Sequence, residues 1–571
     1  MDKENTVKIG GFGKLLIIVF IIAYTLVVVR CAWLGDDAYI TYRVVDNFVK
    51  GYGLVWNIDE RVQVYTHPLW MFLVASVYRL SGNIYYTAIY LSLALSVLAV
   101  SLYAFTIPRS ALTAVLGISA LTLSKAYTDY STSGLENPLT NLLLVIFFYI
   151  YLRKELNIKR FFLLSLIAAL GTLNRMDTLL LFLPVLAFTF WKMPVRLKAV
   201  KALISGFIPF FAWEIFSLFY YGFPFPNTAY AKLNTGIPTI KLVRQGFYYL
   251  QDSILTDPVT QLVIFSSILA VVIKKRWNHI PLITAMVLYM LYTIKIGGCF
   301  MSGRYYSGVL LIAVIVIGDT CFKSFSKSWV VSMIILLIMG LTPLRSPIFS
   351  NIDYGENFGV MYPHNISDER GFYYPETGLL RVLKGLTPDP SGTATKTLNL
   401  EKIYKSDQSK DHAPGIASLP FIDKVKSSSV DLQMVIGRLG FAVGPGIHIL
   451  DIVALADPLL SRLPTINKEN FWIGHFKRRV PEGYYETLKT GKNCIKDPDI
   501  ALFYHKLSLI IKGELFDSRR IAEILKMNLG LYNYLIVDTY TPPKLKNQVP
   551  DIIKLGNDGE SPGLLNPVNA N

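Results

Sequence analysis

The stretch Leu34-Gly35-Asp36-Asp37-Ala38-Tyr39-Ile40-Thr41-Tyr42-Arg43 follows directly on an apolar run over 15–33, and its reading decides the fold. A run of roughly 19 apolar residues is the length that crosses a bilayer core. Two adjacent carboxylates at its mouth are expensive at a membrane boundary unless they are solvated or used. A hydrated pair of loop acids is the ordinary reading of such a pair. Its surroundings argue for use: DDAYITYR is followed by GYGLVWN (51–57) and YTHPLW (65–70), an aromatic and polar series within one loop.

Composition agrees with a membrane protein. Of 571 residues, 52% are hydrophobic and 17% charged, and the mean hydropathy of +0.41 is outside the range of soluble domains of this size. The net charge of +16 does not signal nucleic acid, because Lys and Arg gather in short clusters between apolar runs, as cytoplasmic loops do. The four cysteines form neither a metal-ligand spacing nor a disulfide framework. The N-terminal MDKENTVKIGGFGK precedes a span with no small-residue cleavage site, so the first helix reads as uncleaved.

Apolar runs between residues 15 and 343 give about eleven spans, at about 15–33, 84–107, 110–125, 137–152, 160–174, 177–191, 201–220, 258–273, 279–296, 305–322 and 328–343. The basic loops RKELNIKR (153–160), KMPVRLKAVK (192–201), KKR (274–276) and KSFSK (323–327) are placed in the cytoplasm, with Arg109 and the N-terminus. The parity holds if the apolar piece Pro68–Leu80 is an interfacial or re-entrant helix with Trp70 and Tyr78 at headgroup level. The outer face then collects 34–82, 126–136, the turn NRMD (174–177), 221–257, GGCFMSGR (297–304) and everything beyond about 344. The predicted fold is a polytopic α-helical membrane protein, with a transmembrane domain over 1–343 and a C-terminal mixed α/β extracytoplasmic domain over 344–571. Four runs in that domain read as strands: MVIGRLGFAV (434–443), IHILDIVALA (447–456), ALFYHKLSLII (501–511) and YNYLIVDTY (532–540). The segment 387–414 reads as a mobile loop and the chain from about 550 as a disordered tail.

The outer segments bring Asp36, Asp37, Glu136, Arg175, Asp177, Lys232 and Arg304 to one face of the membrane. Cations there suit a lipid phosphate, so Arg175, Lys232 and Arg304 are expected to bind the donor phosphate. A carboxylate suits deprotonation of a hydroxyl or stabilisation of an oxocarbenium charge, so Asp36, Asp37 and Glu136 are the catalytic candidates. Basic residues at span ends also snorkel, but Arg175 interrupts a hairpin of apolar runs, where polar residues tend to be functional. Tyr42, Arg43, His67, Trp70, Asp177 and Asn227 complete the expected substrate contacts. Tyr42, Trp56, Tyr65 and Trp70 serve either as an interface belt or as a sugar-stacking face. His67 is a candidate base or metal ligand alongside the carboxylates, which leaves a divalent cation open and requires no other cofactor. No Gly-rich phosphate loop points to a nucleotide substrate, and no internal repeat is found. A transporter or flippase of a lipid-linked sugar is the alternative, but midplane charges and matched halves, its usual marks, are not seen.

These motifs resemble a known family. LGDDAYITYRVVDNFVKGYGLVWN and RVQVYTHPLW resemble the first outer loop of GT-C glycosyltransferases that use polyprenyl-phosphate sugars, most of all the mycobacterial terminal β-(1→2)-arabinofuranosyltransferases. The likeness continues through STSGLENPL (131–139), LNRMDTLL (173–180), FPNTAYAKL (225–233), GGCFMSGRYY, GPGIHILDIVALADPLLSRLP (444–464) and GHFKRRVPEGYYE (474–486). The resemblance implies a GT-C fold of eleven spans with a periplasmic cap, residence in the cell membrane, and a catalytic Asp36 or Asp37. It further implies a polyprenyl-phosphate sugar donor and a cell-envelope glycan or lipid acceptor. Cys299 stands where the family's loop often carries an acid, and His67 where it carries an amide; both positions bear on donor and acceptor identity.

Overall fold

The computed structural model describes residues 9–153, 155–320, 325–343, 345–349, 361–387, 390, 429–466 and 468–537. Seventeen α-helices precede residue 344 in this description. They are α1 (Gly11–Cys31), α2 (Asp36–Val49), α3 (Pro68–Ser81), α4 (Ile84–Thr106), α5 (Ala111–Leu123), α6 (Lys125–Asp129), α7 (Asn137–Arg153), α8 (Ile158–Asn174), α9 (Leu179–Trp191), α10 (Arg196–Gly206), α11 (Ile208–Tyr220), α12 (Asn227–Leu233), α13 (Thr239–Thr256), α14 (Pro258–Ile273), α15 (Ile280–Lys295), α16 (Tyr306–Thr320) and α17 (Lys327–Leu341).

The mainly helical architecture, with its series of apolar helices, is that of a polytopic membrane protein. By length and composition, α1 and α4 can each cross a membrane. Two bent pairs qualify when each is taken as one span: α10 with α11, bent by 50°, and α13 with α14, bent by 103°. Shorter apolar helices, α5, α7, α9 with its leading turn, α16 and α17, make up the rest of the apolar set. The first bend falls where Phe207 and Pro209 interrupt the 201–220 run. At the second, Asp257 caps α14 through its side chain and Pro258 occupies the first helical position. Part of the expected outer loop 221–257 is thus the helix α13. The Pro68–Leu80 piece forms α3, opened by Pro68 and closed by the left-handed Gly82; its 14 residues extend only ~21 Å.

The C-terminal region departs from its expected strand content. Among the described residues the strands are Met361–Tyr362 paired antiparallel with Ile366–Ser367, and Ser429–Gln433 paired parallel with Ile447–Asp451. Only IHILD of the four expected runs is a strand. ALFYHKLSLII lies in a helix, Pro498–Lys512, started by Asp497. Ile500, Phe503, Tyr504, Leu507, Ile510 and Ile511 are buried, and this three-and-four spacing outweighs the apparent alternation. MVIGRLGFAV supplies the short helix Gly437–Val443, and YNYLIVDTY the turn Tyr534–Val537. The expected loop 387–414 lies almost wholly, and the expected tail wholly, outside the described residues.

Packing is continuous across residue 343. One apolar core runs from Ile17 through α16 and takes in Ile366, Tyr374, Leu379, Ile436, Ile449 and Ala456. A second core gathers Leu459, Tyr484, Phe503, Leu507 and Ile524 against Phe223 and Ala231 of the 221–257 segment. The C-terminal segment therefore packs directly on the 221–257 segment, and this arrangement shapes the site.

Candidate functional site

The site is assembled from helix ends. Gly35 caps α2, which begins with Asp36 and Asp37; carboxylates in a first turn are favoured by the helix dipole. The two acids then part. Asp36 is buried, and its oxygens accept from the backbone amides of Gly437 (2.9 Å) and Arg438 (2.8 Å). Burial raises its pKa to about 6, an effect that the amide of Arg438 opposes and the neighbouring Asp37 reinforces. Asp37 remains partly open, with 29% of its side chain accessible, and stands 3.9 Å from the guanidinium of Arg304.

Glu136, at the start of α7, is almost fully buried. It accepts from Arg175 (2.8 Å) and Arg304 (3.2 Å) and lies 3.4 Å from Nδ1 of His67. Burial alone would raise its pKa, but Arg304 and Arg175 outweigh burial and hold the carboxylate well below the usual range. This carboxylate is a fixed counter-ion to two cations, a different situation from that of a proton-transfer group. Arg175 leaves α8 in extended conformation, donates to Asp177 at 2.7 and 2.9 Å, and donates to the hydroxyl of Tyr305 at 2.9 Å. Burial lowers the pKa of His67 to about 4. The neutral ring has Nδ1 3.2 Å from the hydroxyl of Thr66 and 3.4 Å from Glu136, and Nε2 2.7 Å from the hydroxyl of Thr41.

Glu136, Arg175, Arg304, Tyr289 and Tyr305 line a recess with about 320 Å³ of empty space, its open mouth included. The Nε of Arg304 is buried there with no hydrogen-bond partner. Lys232, in the last turn of α12, is exposed to water yet surrounded by protein. That surrounding burial lowers its pKa, with Asp37 and Cys299 opposing and Arg304 and Arg175 adding to the lowering. A larger number of charges than any single loop provides therefore meets in one place: Asp37, Glu136, Asp177, Arg175, Lys232 and Arg304. Such a recess can take an anion against its guanidinium groups while Asp37 stays accessible. Among the described residues, no group of three or more His, Cys, Asp or Glu side chains is placed to hold a metal ion.

Four expected substrate contacts are instead structural. Arg43 is fully buried and donates to the carbonyls of Trp56, Gly440 and Ile447, with its guanidinium 4.4 Å from the Trp56 ring centre. Asn227 donates to the carbonyls of Ala454, Leu455 and Asp457. Tyr42 and Trp70 both donate to the carbonyl of Gly134, two residues before Glu136, so they set the loop that carries the counter-ion. Tyr42, Trp56, Tyr65 and Trp70 are each at most 1% exposed. None is an interface anchor or a sugar platform, because each ring is enclosed in the core.

No family model matches the chain. A terminal β-(1→2)-arabinofuranosyltransferase of Mycobacterium tuberculosis is 25% identical over 526 residues, covering 79% of this chain and 81% of that relative. Another, from Corynebacterium glutamicum, is 23% identical over 514 residues, covering 78% and 73%. The chain is similar to these arabinofuranosyltransferases over most of its length. The resemblance carried by the motifs is met by both relatives, which are glycosyltransferases. A crystal structure of ArnT from Cupriavidus metallidurans bound to undecaprenyl phosphate superposes with a TM-score of 0.45 at 13% identity, covering 77% of this chain and 86% of that one.

Two groups near Asp37 escaped the reading of the sequence. Glu369 opens the helix Glu369–Thr377, and burial, with repulsion from Asp37 and Asp36, raises its pKa to about 8. His475 comes from the GHFKRR motif, and burial lowers its pKa to about 4 while the charge of Asp37 opposes that fall. Neither has a local signal in the sequence, since each gains its environment from segments distant in the chain.

Proposed function

We propose that the protein is a membrane glycosyltransferase of the GT-C type that moves a sugar from a polyprenyl-phosphate donor to a hydroxyl of a cell-envelope glycan or lipid. The reaction takes place on the outer face of the cell membrane. The observation that carries this reading is the recess lined by Arg175 and Arg304, with a buried guanidinium nitrogen left unpaired, beside the accessible carboxylate of Asp37. In this reading Arg175, Arg304 and Lys232 grip the donor phosphate. Asp37 accepts the proton of the acceptor hydroxyl, the hydroxyl oxygen bonds to the anomeric carbon, and the bond from that carbon to the phosphate oxygen breaks. The electron pair leaves with the polyprenyl phosphate, whose charge the cations stabilise. Glu136 keeps the two arginines in place. The activity named for the relatives makes arabinofuranose the first donor sugar to test.

The test is incubation of purified protein with labelled polyprenyl-phosphate sugars and a cell-envelope glycan acceptor. Transfer from a polyprenyl-phosphate pentose is expected. Absence of transfer and of sugar release across a panel of donors overturns the reading.

A further inference from the structure

The C-terminal segment lays an aromatic group beside the reacting carboxylate. His475 stacks on Trp472 with ring centres 3.9 Å apart and planes 19° from parallel, and the edge of Phe300 meets His475 at 4.5 Å and 79°. Phe300 belongs to the same loop as Arg304, and its carbonyl accepts from the amide of Ser367, two residues before Glu369. Gly474 turns the chain with φ +83°, and a Cβ there would lie 3.1 Å from the Phe300 ring, so the contact depends on glycine. Met301, the residue after Phe300, accepts from Arg304 through its sulfur at 3.4 Å, and Arg304 stands 3.9 Å from Asp37, which places the group at the edge of the charged recess.

Two polar atoms in this group are buried without a hydrogen-bond partner among the described residues: Nε1 of Trp472 and Nδ1 of His475. Buried polar groups are normally paired, so an unpaired couple at the rim of a site marks a position that a ligand completes. The indole nitrogen can only donate, whereas a neutral imidazole nitrogen can accept. A sugar hydroxyl does both. We propose that Trp472 and His475 form a hydroxyl-recognition subsite beside Asp37, in which one sugar hydroxyl accepts from the indole N–H and donates to the imidazole. Phe300 holds the imidazole upright for that contact. The inference rests on the glycosyltransferase reading, and the hydroxyl belongs either to the donor sugar or to the acceptor glycan.

Trp472→Phe and His475→Phe keep an aromatic ring while removing the polar atoms. Each is assayed for transfer with donor and acceptor varied separately, and with deoxy analogues lacking one hydroxyl at a time. Loss of one such hydrogen bond is expected to raise KM about tenfold for only one of the two substrates. The substrate affected tells which sugar occupies the subsite. For the analogue lacking the recognised hydroxyl, both variants should perform like the wild type, a loss of discrimination that mere loosening of the fold does not produce. An active wild type whose variants keep full discrimination against every deoxy analogue overturns the subsite and leaves the glycosyltransferase reading standing. A wild type inactive with every donor overturns both.

Discussion

Asp36 and Gly437 are in such close contact that no other residue fits at position 437. The amide of Gly437 donates to Asp36 at 2.9 Å, and a Cβ on Gly437 would lie 1.9 Å from the carbonyl oxygen of Asp36. The first carboxylate of the pair is thus committed to holding the C-terminal segment on α2, and the second stays partly open.

Asp36→Asn and Asp37→Asn should therefore fail in different ways. An amide at position 36 presents a donor to one of two backbone donors. The variant should lose about 1–3 kcal/mol of stability, read as a lower unfolding midpoint in detergent. Asp37→Asn should keep the wild-type midpoint and lose about 10²–10⁴-fold in turnover. Near-normal turnover of Asp37→Asn would remove it from the mechanism.

Arg304→Ala removes the cation with an unpaired buried nitrogen and leaves Glu136 with Arg175. Binding of undecaprenyl phosphate, followed by tryptophan quenching or microscale thermophoresis, should weaken by about 2–5 kcal/mol. Arg175→Ala should weaken it to a similar degree. Lys232, the most exposed of the three, should contribute least. Unchanged binding in all three variants would place the lipid phosphate elsewhere.

Two titrations should push stability in opposite directions, over intervals that overlap between pH 4.5 and 6.5. His67 titrates at about 4 in the fold against an ordinary 6.5. Between those values the unfolded chain binds the extra proton, so stability falls as pH drops from 6.5 to about 4. Glu369 is the opposite case, raised from an ordinary 4.5 to about 8. The fold holds its proton, and the stability gained is lost as pH rises through that interval. Thermal midpoints across pH 4–9 should show His67→Asn without the His67 contribution that rises between pH 4 and 6.5, and Glu369→Gln without the Glu369 contribution that falls between pH 4.5 and 8.

Sidedness is testable at turns that the fold leaves between helices. Epitope tags after Met193, between α9 and α10, and after Lys275, between α14 and α15, should be reached only from the cytoplasm. A tag in the exposed turn at Phe516 should be reached only from outside. A cytoplasmic tag at Phe516 would reverse the parity of the loops.

Apolar runs made the apolar helices of the first 343 residues legible, because apolar length registers in a short window, whereas α2, α12 and α13 lie in segments that read as loops. The charged meeting point was legible too, since Glu136, Arg175 and Arg304 each stand at the end of an apolar run. The aromatic residues of the first outer loop were misleading. Tyr42 and Trp70 look like surface anchors in one dimension, and only the position of Gly134 shows that they are buried supports. The C-terminal strands failed for a different reason: Ile500 to Ile511 fits both periods locally, and the cap at Asp497 decides for a helix. His475 and Glu369 could not be found in advance, because Asp37, whose charge both of them feel, lies more than 300 residues away in the chain.

The guanidinium of Arg43 has a consequence for how the protein is made. Its donors are satisfied by carbonyls of Trp56, Gly440 and Ile447, so a residue of α2 waits for two partners about 400 positions later in the chain. Until they arrive, α2 carries a buried-type cation and an uncapped carboxylate with only water to satisfy them. The nascent chain can insert its early helices in order, but the seat of Arg43 closes only once Gly440 and Ile447 have been made. A chain that stops short of Gly440 therefore leaves this cation and Asp36 without the partners that the fold gives them.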